Sequence, residues 1–119
     1  MRVMVIVKAT RNSEAGEMPS QEFIAEMGAF NQKLIAAGVM LDGGGLKASK
    51  TGARVALEGT QPSVTHGPFG QLGELASGFW MWKVASLDEA INWAKQCPTS
   101  PVGPLQLEIR PLFEMEDFG

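Results

Sequence analysis

Apolar and polar positions along the chain follow two rhythms, a period of two and a period near 3.6. Arg2–Lys8 (RVMVIVK) is a short β-branched run with apolar residues on both faces, the pattern of a strand buried within a sheet. Arg11–Pro19 then reads as a polar loop. Ser20 stands where a helix N-cap belongs, with Glu22 in the first turn near the positive end of the helix dipole. Phe23, Met27, Phe30 and Leu34 recur at helical spacing and form one apolar stripe, which Gly38 closes as the residue after the C-cap. Val39–Leu41 begins a second strand that Gly43, Gly44 and Gly45 loosen.

Arg54–Leu57 and Ser63–Thr65 flank Glu58–Pro62, the signature of a hairpin with a glycine-containing loop, and His66–Phe69 follows as a compact turn. Gly78–Ala85 (GFWMWKVA) is the strongest strand signal in the chain. Ser86 and Glu89 form a capping box, and Leu87, Ala90, Ile91, Ala94 and Cys97 mark the buried face of a second helix that Pro98 stops. Leu105, Leu107 and Ile109 alternate with Gln106, Glu108 and Arg110, a half-buried final strand.

Strand, helix, strand, inserted hairpin, strand, helix, strand is the order of two split βαβ units. It predicts an α+β, ferredoxin-like fold with both helices on one face of an antiparallel sheet. At 119 residues the chain is expected to be a single domain over 1–119. The other sheet face is left bare. Phe79 and Met81 alternate with Trp80, Trp82 and Val84, and two helices cover only one of these sets. If the indoles are on the open side, a second copy must cover them, because a soluble monomer seldom leaves such a patch in water. A symmetric homodimer packed sheet to sheet is therefore expected. A chain this short has little room for a private cavity, so the pocket is expected between the two copies.

Composition narrows the function classes. Ten Lys and Arg against thirteen Asp and Glu give a net charge of −3, without a basic stripe, which argues against nucleic-acid binding. One cysteine, Cys97, forms no internal disulfide and fits a reducing compartment. With neither a signal-peptide pattern nor an apolar run of membrane-spanning length, the expectation is a cytoplasmic protein. No cofactor motif is present: Gly43–Gly45 lacks both the Lys-Ser/Thr of a phosphate loop and the spacing of a dinucleotide loop. One His and one Cys cannot furnish a zinc site, so no metal is expected.

Thr65-His66-Gly67-Pro68-Phe69 resembles the Thr-Asp-Gly-Pro-Phe signature of the DGPF branch of the YCII-related proteins. The likeness extends over nearly the whole chain, through Ala36–Val39, Gly44 with Leu46, Gly78-Phe79, Ser86–Ala90, Trp93-Ala94, Cys97-Pro98 and Leu107–Leu112. It implies a ferredoxin-like protomer and a dimeric α/β barrel. Some relatives are similar to small dehydrohalogenase-type enzymes acting on hydroxylated aromatics, and others are encoded beside extracytoplasmic-function sigma factors. This chain departs from the pattern at His66, where the signature has Asp. It departs again at Gln71-Leu72-Gly73-Glu74, where only the last acid is kept, and at Met27, near the place of a helix histidine in the enzyme-like relatives.

Two readings of function follow. In the first, a small molecule, aromatic or anionic, is bound at the dimer barrel. His66 is then a candidate general acid or base oriented by Glu74 or Glu108, its alternative being a turn residue in place of Asp. Arg110 and Glu108 project opposite Leu107 and Ile109, where a forked guanidinium can hold a carboxylate or phenolate, the alternative being a salt bridge across the interface. Trp80 and Trp82, with Phe69 on the turn, are candidates to stack an aromatic ligand, the alternative for the indoles being interface core. Cys97, at a helix C-terminus without a base, is not expected to be a nucleophile. The second reading is a non-catalytic interaction module serving a sigma factor.

Overall fold

A computed structural model describes residues 1–99 and 103–119. Four strands, β1 (Arg2–Lys8), β2 (Met40–Gly45), β5 (Ala76–Lys83) and β6 (Leu107–Pro111), form one antiparallel sheet in the order β2-β5-β1-β6. Two longer helices, α2 (Gln21–Ala36) and α3 (Leu87–Ala94), are the crossovers of the two split βαβ units. A separate ribbon, β3 (Ala53–Ala56) with β4 (Ser63–His66), is inserted between β2 and β5. This is the ferredoxin-like α+β arrangement that the element order predicts. No described helix is long and apolar enough to cross a membrane.

The termini of the helices behave as their sequences dictate. The Ser20 hydroxyl accepts the amide of Phe23 at 3.1 Å and starts α2. Gly38, at φ +72°, ends it: the amides of Gly38 and Val39 return to the carbonyls of Ile35 and Leu34, which only a left-handed residue permits. Ser86 caps α3 through the Glu89 amide, but the Glu89 carboxylate reaches past Ser86 to the amide of Ala85, 2.6 Å away. β5 ends at Lys83 rather than running to Ala85, although the Val84 amide still donates to the Met1 carbonyl. The segment expected to be loop throughout contains one helical turn, α1 (Arg11–Glu14), capped by a reciprocal pair between Thr10 and Ser13. The glycines do not loosen β2. They belong to it, because a Cβ on Gly43 would stand 2.7 Å from Trp80 Cδ1.

Register corrects the expected facing of the sheet. Val5 pairs with Trp80 on one side and with Ile109 on the other, and Val3 pairs with Trp82. The indoles therefore share the face of the apolar β6 residues, and that is the face the helices cover. Trp82 is fully buried and Trp80 nearly so. Phe30 of α2 packs edge-on against both, with ring centroids 5.7 and 6.4 Å away. Val3, Val5, Leu34, Val39, Val84 and Ala90 complete the core. The bare face instead carries half-buried Met4, Ile6, Phe79 and Met81, with Glu108 and Arg110 opposite Ile6 and Met4. The uncovered apolar patch is thus this smaller one, not the tryptophans.

Among the described residues the Trp82 indole N–H is buried without a partner, whereas Leu34 contributes only apolar contacts. Leu34→Ala should therefore lower unfolding free energy by about 2–5 kcal/mol in urea titration. Trp82→Phe should cost less than half as much, because it also removes an unsatisfied donor worth about 1–3 kcal/mol.

Candidate functional site

Residues of the 10–20 and 46–51 segments, with the first half of α2, line a half-open cleft of about 800 Å³. Phe23 and Met27 of α2, Met40 of β2 and Trp80 of β5 give it an apolar floor. Gly43, Gly44 and Gly45 form one wall of nearly bare backbone. Asn31 stands one helical turn beyond Met27 and accepts the Trp80 indole N–H at its Oδ1, 2.9 Å away. Lys47, Lys50 and Glu17 supply charged groups at the lining. A single protomer thus holds the cavity that the chain length alone reserves for a pair. The molecule is flat rather than spherical, with extents of 46 × 46 × 18 Å.

Of the residues singled out in the sequence, Trp80 lines this cleft. Trp82 lies beneath it in the core. His66 is exposed at the end of β4, opposite Ala53, and forms no hydrogen bond or ion pair among the described residues. Glu74 is exposed in a short 3-10 turn (Leu72–Glu74), and neither it nor Glu108 is brought to His66 by any hydrogen bond. Glu108 is held instead by Lys8 at 3.3 Å and Arg110 at 3.2 Å on the bare sheet face. Those two hydrogen-bonded cations, Arg110 foremost, keep its carboxyl below the usual range. The Lys8 ammonium also donates to the Gly73 carbonyl and so ties the 72–74 turn to the sheet.

The Thr65–Phe69 turn has a structural explanation. A Cβ on Gly67 would fall 1.8 Å from the Ser49 carbonyl oxygen, so only glycine fits. The Gly67 amide donates to Gly52, and the Phe69 amide to the Ser49 hydroxyl. Ser49 in turn donates its hydroxyl and its amide to Glu14. Arg54 lies over the Phe69 ring, 4.3 Å from its centroid. This turn therefore fastens the ribbon's base to the 49–51 segment and to α1. Phe69 is a packing residue here, stacked on a cation within the chain.

Sequence reasoning passed over Asn31, Glu14 and Ser49. One signal was available: Phe23, Met27 and Asn31 follow one another at steps of four, so a polar residue interrupts an otherwise apolar line. The Glu14–Ser49–Phe69 link joins residues far apart in the chain, and no local spacing announces it.

Cys97 packs partly against the core, and burial pushes its thiol up to about 11 from 9.0. The thiolate fraction at pH 8 is then about a hundredfold below that of an unperturbed cysteine. Alkylation by iodoacetamide at pH 8 should be slower than for a free-cysteine peptide by about that factor and should accelerate up to about pH 11. Equal rates would contradict the burial.

Compared with known proteins, residues 1–116 match the family model of the YCII-related domain. No curated protein matches the chain.

Proposed function

The chain belongs to the YCII-related domain family, and from that membership and the cleft together we propose a small-molecule-binding protein that works as a homodimer. The cleft carries this reading. Its volume of about 800 Å³ lies within the range of ligand sites, about 300–1,000 Å³. Such sites combine an apolar lining with a few fixed polar groups, and Phe23, Met27 and Trp80 beside Asn31 and the two lysines have that composition. The ligand is a small molecule with an apolar, preferably flat, body. His66 and Glu74 lie outside the cleft, so the reading gives them no part in binding within one protomer.

The homodimer is supported by surface arithmetic. The chain exposes 8162 Å², against about 6,300 Å² expected for a compact monomer of its mass. Its radius of gyration is 16.2 Å, against about 13.5 Å for a compact domain of this length. The excess, roughly 1,900 Å², is more than twice the about 800 Å² that each partner contributes to a standard interface. Met4, Ile6, Phe79 and Met81 on the bare sheet face are the natural centre of that interface, and Glu108 with Arg110 sits at its side.

Gly43 and Gly45 share a strand face, and a side chain at Gly45 meets open space on the cleft side. Gly45→Phe should therefore fold normally and fill the cleft. In a fragment screen followed by amide chemical shifts, ligands that perturb the Trp80 indole N–H in the wild type should lose that effect in Gly45→Phe. A screen in which no fragment perturbs this resonance would remove the binding reading. For assembly, light scattering should return twice the chain mass of 12.8 kDa at micromolar concentration, and Met81→Arg should return the single mass with unchanged circular dichroism. A wild-type mass of one chain would sink the homodimer.

A further inference from the structure

Within the cleft, one polar side chain has its orientation fixed by its neighbour. The indole N–H of Trp80 is a donor and nothing else, and Trp80 is nearly fully buried. Only the carbonyl oxygen of Asn31 can accept from it, so the 2.9 Å contact settles which end of the amide faces the indole. The Asn31 Nδ2 group, two donors and no acceptor, is then turned the other way. Among the described residues it has no hydrogen-bond partner, and Asn31 lines the cleft. The surrounding charge has the same preference. Lys47 and Lys50 line the cleft and form no ion pair among the described residues, and Glu17 is the one acid on the described lining. Glu14, the nearest other acid in the sequence, is engaged by Ser49.

We propose that Asn31 is a specificity-determining residue, and that it makes the cleft selective for apolar carboxylates over cationic or neutral molecules of the same shape. This rests on the binding reading above and adds the class of ligand to it. The apolar body lies on Phe23, Met27 and Trp80, the carboxylate accepts from Asn31 Nδ2, and the lysines supply the positive field. A carboxylate accepting from fixed donors forms charge-assisted hydrogen bonds, which are stronger and shorter than neutral ones. An ammonium in the same place meets the Asn31 Nδ2 donors rather than the oxygen, which is turned to the indole, and faces two like charges.

The test is calorimetric titration of the full chain with 2-naphthoate, 2-naphthamide and 2-naphthylmethylamine, in the wild type and in Asn31→Asp. Aspartate keeps an acceptor for the Trp80 indole and removes the two donors, so the packing contact survives while the recognition chemistry inverts. Wild type should bind naphthoate about tenfold or more tighter than either analogue, and Asn31→Asp should lose that advantage by about the same factor. A measurement on wild type alone runs beside it: naphthoate should shift the Asn31 side-chain amide resonances more than those of Asn92, which lies on α3 away from the cleft lining, and the amine should not. Wild type preferring the amine or the amide, Asn31→Asp keeping the naphthoate preference, or an unmoved Asn31 amide would overturn this inference and leave a cleft of different selectivity. Failure of all three probes to bind would overturn the inference and the binding reading together.

Discussion

The contact between Phe30 of α2 and the paired indoles of β5 is the junction on which both the sheet and the cleft depend. Trp80 and Trp82 lie 5.6 Å apart on one strand, and Phe30 meets each of them edge-on. Aromatic pairs of this kind contribute about 0.5–1.5 kcal/mol each beyond the area they bury. The same contact sets the height of α2 above the sheet, and with it the position of Asn31, one residue farther along. It also forces Gly43, since no side chain fits between β2 and the Trp80 ring. Core packing, the edge strand and the polar group in the cleft are thus one arrangement.

Much of the fold was legible because it is carried by local signals. The Ser20 and Ser86 caps, the Gly38 terminus and the period-two runs each depend on residues within a few positions, and each forms as its chemistry directs. Strand facing was not legible in this way. A strand with Trp on one side and Phe and Met on the other offers two apolar faces, and hydrophobicity alone does not choose between them. The choice is made by pairing: Val3 and Val5, at the centre of the sheet, bring the Trp side and the Ile109 side onto one surface. The flanking strands, rather than the size of the side chains on β5, carry the facing of the sheet.

The site was less legible, for a related reason. His66 draws notice as the lone histidine of the sequence, yet the ribbon that carries it stands away from the cleft. Asn31 is unremarkable in composition, and its significance appears only when the donor beside it is known. The Thr65–Phe69 turn is recognisable as a motif, and its glycine is demanded by a backbone approach. What it organises is a fastening between Ser49, Glu14 and the ribbon rather than a reacting group. In this chain the most recognisable residues secure the frame, and plainer ones line the space inside it.

The two glycines that share a face of β2 differ in how much freedom they leave to evolution. Gly43 is locked by the Trp80 ring, so nearly any replacement there disturbs the core. Gly45 faces open space on the cleft wall. A lineage of such proteins can therefore resize or reshape its cleft by single substitutions at the second position without cost to the first. That separation allows one stable scaffold to vary the shape of its cleft, because the mutations that reshape it are not the mutations that endanger folding.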